Sequence, residues 1–164
     1  MAMKMTTGGI GELEEIFKKL GNQAENVARV ALYEGADIMA DAYKNAPAKI
    51  RTEKFRGKRE KRLPSPEEKA AVTGKSGIAK FRKGDGEIST MVGIGNSAGY
   101  VMLGNSRRAV KQIANSINSG TSFMDKQPIF RRASTQNRKP AQEAIVERAE
   151  ELLEAIINGK TQEV

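Results

Sequence analysis

Apolar residues recur at steps of three and four through the first forty-five positions. Ile10, Leu13, Phe17 and Leu20 form one stripe, backed by Glu12, Glu14, Glu15, Lys18 and Lys19. That pattern predicts an amphipathic helix, because 3.6 residues per turn place positions three and four apart on one face. Gly21-Asn22 reads as a break, with Asn22 able to cap a second helix. The second stripe, Ala24, Val27, Ala28, Ala31, Gly35, Ile38, Met39 and Ala42, runs to about Asn45 and is built of small residues. Small side chains let a helix lie close to its neighbour, so this segment is expected to be the central packing element. Pro47 ends it, since the residue before a proline is pushed out of helical geometry.

Beyond Pro47 the periodicity stops. Residues 48–70 carry few apolar side chains, a dense basic run and Pro64-Ser65-Pro66, which predicts a long loop or arm. Strict alternation then appears in Ile88, Thr90, Val92 and Ile94, the one clear strand, after a turn at Gly84-Asp85-Gly86. Residues 78–82 are its candidate hairpin partner and 100–103 a third strand. Val110, Ile113, Ala114 and Ile117 suggest a short helix over 107–117. Pro140 opens a last amphipathic helix, 141–158, with Ile145, Ala149, Leu152, Leu153 and Ile156 on one face and Gly159 as its stop. The expected fold is α+β: a long N-terminal helix and a C-terminal helix on a small antiparallel sheet. A chain of 164 residues fits a single domain, 1–164, with 48–72 as a basic loop inserted between the long helix and the sheet.

Composition narrows the chemistry. The chain has no His, Cys or Trp. Disulfide frameworks, thiolate nucleophiles, zinc fingers and histidine-based general bases are therefore excluded. No apolar run approaches the roughly 20 residues needed to cross a bilayer, and the start lacks the apolar core of a secretory signal, so a cytoplasmic protein is expected. The net charge of +8 is unevenly placed. Residues 1–43 sum to −3, residues 44–83 to +10, residues 84–140 to +5 and residues 141–164 to −4.

The basic run Lys49, Arg51, Lys54, Arg56, Lys58, Arg59, Lys61 and Arg62 is dense enough to contact DNA or an acidic protein surface by releasing counterions. It reads equally as a solvated arm. Only Phe55 interleaves it, so the stacking platforms of single-strand binders are missing. Thr73-Gly74-Lys75-Ser76 has the ending of a phosphate-binding loop without its first glycine, and a plain turn is the simpler reading. Gly93-Ile94-Gly95 with Gly99 sits between strands, where a turn again suffices. Asp37 and Asp41 lie one helical turn apart but lack histidine to complete a metal site. Glu147, Glu150, Glu151 and Glu154 lie away from the apolar stripe, as solubilising residues do. An enzyme working by carboxylates alone finds no pair at suitable spacing, and no catalytic residue is assigned.

The stretch from Asn118 to Ala133, NSGTSFMDKQPIFRRA, resembles the Gly-Thr, Gln-Pro-Phe, Pro-Ala signature of the tail-completion or head-to-tail joining proteins of long-tailed lambda-like phages. The signature positions are Gly120, Thr121, Gln127, Pro128, Phe130 and Ala133. Asn45-Ala46-Pro47 at the end of the long helix, the Thr73-Gly74 element, the strand region and the closing helix follow in the family's order. The match departs in spacing and at single residues: 25 residues separate Pro47 from Thr73, Ile129 stands between Pro128 and Phe130, and Arg132 replaces the second proline. Ser119 also stands where the family usually has an acid. The resemblance implies a non-enzymatic virion protein without cofactors, small-molecule substrate or membrane contact. It further implies a homo-oligomeric ring, usually a hexamer, at the neck between tail tube and head connector, assembled in the host cytoplasm, with packaged DNA passing through it. The competing reading is a small basic nucleic-acid-binding protein. The resemblance makes this stretch a shape element, in which Gly120 is expected to permit a tight turn, Pro128 to fix the chain and Phe130 to anchor the loop on the core.

Overall fold

The computed structural model describes residues 8–53, 61–84 and 87–158, with residues 8–20, Asn22 and the tip of the first hairpin described as backbone only. Helix α1, Gly8–Asn45, spans 38 residues without interruption. The expected break at Gly21-Asn22 is absent. One glycine inside a helix costs about 1 kcal/mol, too little to open a helix with hydrogen-bonded turns on both sides. At Ala46–Lys49 the chain tightens into a 3-10 turn in which Ala46 and Pro47 are buried.

The C-terminal helix departs further from expectation. Helix α4 runs Ile129–Ile157 and contains Pro140 in its interior. Pro140 therefore does not open the helix. A proline in a helix removes one hydrogen bond, here to the Gln136 carbonyl, and costs roughly 3 kcal/mol. Both Pro140 and Gln136 are exposed, so the ring meets no neighbour and water can take up the carbonyl. The turns before it are held from outside: Ile129 and Phe130 are buried, and the Asn118 Oδ1 accepts the Arg131 backbone N–H at 3.2 Å.

Helices α1 and α4 pack antiparallel. At one end the rings of Tyr43 and Phe130 stack with centroids 5.8 Å apart and planes 15° from parallel. Further along, Gly35 meets Ala141 and Ile145 so closely that an added Cβ would lie 2.7 Å from the Ala141 carbonyl oxygen. The small-residue stripe thus does what its composition suggested: buried Ala31, Gly35 and Ala36 let the two helices approach. The α4 face formed by Ala141, Ile145, Ala149, Leu152 and Ile156 is the buried or half-buried one.

Three antiparallel two-stranded ladders fill the middle of the chain, confirming the α+β class. Strand β1, Gly77–Ile78, pairs with β4, Val92–Gly93, and β2, Arg82–Gly84, pairs with β3, Glu87–Ser89. The single strand expected over 88–94 is therefore two pieces of one interrupted hairpin. Gly77 faces Gly93 while Arg82 faces Ser89, so three residues, 79–81, oppose two, 90–91. That extra residue is a bulge. It is bridged by the Ala79 N–H donating to the Met91 carbonyl and the Thr90 hydroxyl donating to the Ala79 carbonyl, both at 2.7 Å. The predicted turn residues 85 and 86 lie outside the described residues.

Strand β5, Tyr100–Leu103, exists as expected but joins a different partner, β6, Ser106–Ala109. The two-residue connection Gly104-Asn105, with Gly104 at φ +59°, closes this hairpin. Such a connection matches the twist of paired strands and keeps β5 from extending the first hairpin. Arg107 consequently lies in a strand, and helix α3 begins only at Val110, running to Ser119.

The core lies where α3, the short helix α2 (Pro66–Val72), the 3-10 turn and the start of α4 converge. Val72, Val110, Ile113, Ile117 and Met124 are at most 3 % exposed, with Ile50, Ile129 and Phe130 beside them. Among the described residues no helix is long and apolar enough to cross a membrane.

Two substitutions to alanine on α1 are expected to act in opposite directions. Gly35→Ala forces a Cβ against a backbone carbonyl and should cost about 1–3 kcal/mol. Gly21→Ala meets nothing within 4 Å and should stabilise by about 1 kcal/mol. Phe130→Ala, at a site 6 % exposed, should cost roughly 3–5 kcal/mol. Urea unfolding midpoints measure all three, and equal shifts at Gly21 and Gly35 would contradict the packing described.

Candidate functional site

The signature positions form a structural junction rather than a free loop. Helix α3 ends at Ser119, and Gly120 adopts φ +75°. Its missing side chain also matters, because a Cβ there would lie 3.2 Å from the backbone nitrogen and Cα of Lys126. Thr121 closes the turn that follows: its hydroxyl accepts the Met124 N–H at 3.0 Å, and its own N–H donates to the Met124 carbonyl at 3.0 Å. Gln127 is 6 % exposed, and its side-chain amide acts like one more strand residue. Nε2 donates to the Arg51 carbonyl while Oε1 accepts the Arg51 N–H, both at 2.9 Å. Pro128 caps α4, and Phe130 and Ala133 belong to its first turns, with Phe130 in the core as the expected anchor.

Of the expected arm, 48–72, the described residues 48–53 and 61–72 are tied into the fold. Lys54, Arg56, Lys58 and Arg59 lie outside the described residues. On either side the chain is tied to itself: the Glu53 N–H donates to the Pro64 carbonyl at 3.2 Å, and the Leu63 N–H donates to the Glu53 carboxylate at 3.0 Å. Ser65 then caps α2 through a capping box with Glu68. Lys69 reaches back from α2, its ammonium donating to the carbonyls of Ala48 and Ile50 at 3.1 and 3.0 Å. The sequence pattern offered too few apolar residues to show this: Ile50, Pro64, Ala71 and Val72 are buried, and polar bonds to backbone hold the stretches between them.

Arg62 is the clearest correction among the basic residues. Its guanidinium makes two bonds to the Glu68 carboxylate, at 2.6 and 2.7 Å, with side chains 22 % and 5 % exposed. Arg108 approaches the same carboxylate at 3.8 Å. Burial alone would push the Glu68 carboxyl up, but the Arg62 bonds, the Ser65 amide and the nearby charges of Arg62 and Arg108 together outweigh it and hold it below its ordinary value. The Arg62 guanidinium is held above its own, first by the bond to Glu68 and against the opposing effect of burial. Arg62 is a structural cation, and Glu68, passed over in the sequence, is its buried partner. The Pro-Ser-Pro-Glu-Glu capping box was the available signal.

Lys49 and Arg51 do find company. They line a cleft of about 530 Å³ together with Lys126 and Arg132, and among the described residues no acidic side chain lines it. Its walls come from the end of α1, the 3-10 turn and the first turns of α4, and Gln127 fixes the backbone that carries Arg51. Four cations at one opening offer bonds to phosphate or carboxylate oxygens, with the two guanidinium groups capable of paired contacts. Lys126 and Arg132 were not singled out in the sequence as contact residues, because they stand 75 or more positions from Arg51. Lys61 is exposed outside this cleft.

The other sequence motifs resolve as turns and surface. Thr73 to Ser76 follows the end of α2 as a turn with Gly74 at φ +67°. Gly93 lies in β4 and Gly99 in the turn before β5. Asp37 and Asp41 are exposed on α1, and among the described residues no cluster of three His, Cys, Asp or Glu could hold a metal. No family model, no curated protein and no solved structure matches this chain.

Because the Glu68 carboxyl is held below its unfolded value, its ion pair contributes stability above the ordinary carboxylate range and loses it as pH falls through the folded value. Glu68→Gln is expected to cost roughly 2–3 kcal/mol at pH 7, discounted for the partial exposure of Arg62. That cost should shrink below about pH 4. Urea unfolding of both proteins at pH 7 and pH 3.5 checks this, and a cost independent of pH would rule out the charge as its source.

Proposed function

We propose that this chain is a non-enzymatic assembly protein of a long-tailed phage virion, a subunit of the ring that completes the tail or joins it to the head. The observation that carries this reading is the meeting of motifs that are far apart in sequence. Asn45-Ala46 at the end of α1 and Gln127-Pro128 at the start of α4 line one cleft, Gln127 binds the Arg51 backbone and Phe130 stacks on Tyr43. A cleft shared by two of the resembling motifs supports the reading.

The surface is in keeping with a subunit that buries area on assembly. Tyr33, Tyr100, Met102, Phe123 and Val146 are each more than half exposed. Aromatic and methionine side chains are enriched where proteins meet. Arg107 lies over the Tyr100 ring at 4.4 Å, adding a cation to that face. In a ring, the cleft of Lys49, Arg51, Lys126 and Arg132 would meet either the passing DNA or an acidic neighbour.

The same cleft is the specific observation in favour of the second reading, a small basic nucleic-acid-binding protein. Light scattering after size exclusion separates the two. The assembly reading expects a species near six times the 17.9 kDa chain mass, on its own or with tail proteins present, and weak DNA binding. A monomer or dimer that binds DNA tightly and releases it with salt would replace it. In that case neutralising the four cleft cations to glutamine should flatten the salt dependence by roughly 3–4 phosphate contacts.

A further inference from the structure

A second groove, about 590 Å³, opens between the interrupted hairpin, α3 and the start of α4. Tyr43 and Phe130 line it, Met91 and Ile94 add apolar surface, and Lys111 and Arg131 bring charge. Met91 is 64 % exposed, and among the described residues neither the Lys111 ammonium nor the Arg131 guanidinium has an ion-pair partner. At the far end of α4 lies a surface of the opposite character. Val146, Glu150, Leu153, Glu154 and Ile157 recur at steps of three and four on a face beside the one that packs on α1. Val146 and Ile157 are 55 % and 56 % exposed, and among the described residues Glu150 and Glu154 have no ion-pair partner.

We infer that the Val146–Ile157 stripe of one copy docks in the Lys111–Arg131 groove of the next. The match is one of charge and shape together: two acids between apolar residues on a helix, and two cations beside an apolar floor, as in helix-in-groove recognition. One chain cannot satisfy itself. Arg131 and Glu150 are 19 positions apart on one helix, or about 28 Å. The contact is consequently between unlike surfaces of two copies, which is the kind that closes a ring by rotation. The inference rests on the ring-assembly reading and names the interface that reading leaves open.

Charge reversal tests it on the full chain, with melting curves to show that each variant is folded. Lys111→Glu with Arg131→Glu, or Glu150→Lys with Glu154→Lys, is expected to weaken self-association on the order of 100-fold, because like charges then face each other. An equimolar mixture of the two double variants should assemble again, since each reversed surface now finds its complement on the other chain. The variant carrying all four reversals should assemble by itself. Rings of unchanged mass in both double variants would overturn this interface while leaving the ring intact. Loss of assembly with no recovery in the mixture would overturn it too, and a wild-type chain that stays monomeric at every concentration and with tail proteins would sink the ring itself.

Discussion

Two helices held face to face over most of their length set the frame for everything else. The contact tolerates no side chain at Gly35, where the Ala141 carbonyl stands 2.7 Å from the space a Cβ would take, and it is closed at one end by the Tyr43–Phe130 stack. Close packing gains dispersion contacts along the whole seam and fixes the depth at which α4 starts relative to the end of α1. That depth decides the rest. It puts Gln127 opposite Arg51, Asn118 opposite the first turn of α4, and the end of α1 beside the 3-10 turn.

Polar bonds to backbone then do what apolar burial cannot do in a segment so rich in charge. Lys69 binds the carbonyls that end the 3-10 turn, Gln127 pairs with Arg51, and Glu68 holds both Arg62 and the Ser65 amide. Each satisfies a backbone or charged group that would otherwise be costly to bury. The result is a basic protein whose positive charge is sorted into two kinds. Arg62 is consumed by the fold, whereas Lys49, Arg51, Lys126 and Arg132 are gathered at an opening that, among the described residues, no acidic side chain lines.

That sorting bears on function more than net charge does. A charge of +8 says only that the chain is drawn to anions. A cleft of four cations near one end of α4, with an acidic and apolar stripe near the other, gives the molecule a direction. That layout is the one the proposed head-to-tail contacts around an axis would use.

Periodicity made the helical parts and the α+β class legible, because an apolar stripe of period 3.6 carries its own signature through any surrounding sequence. It also pointed to the small-residue face of α1, whereas Phe130 as an anchor came from the resemblance carried by residues 118–133. Pro140 and Gly21 misled for one reason: both are strong local punctuation, and both are overridden by hydrogen bonds and packing on either side. The split of 88–94 into two strands and the partner of Arg62 were decided by tertiary structure, whereas the β5–β6 hairpin had a local turn signal in Gly104-Asn105. A bulge and a buried carboxylate are each single-residue events with no period to read. The basic cleft belongs with them. Arg51 and Lys126 are neighbours only because Gln127, one residue further along, finds the backbone of Arg51 in space, and no pattern along the chain encodes that distance.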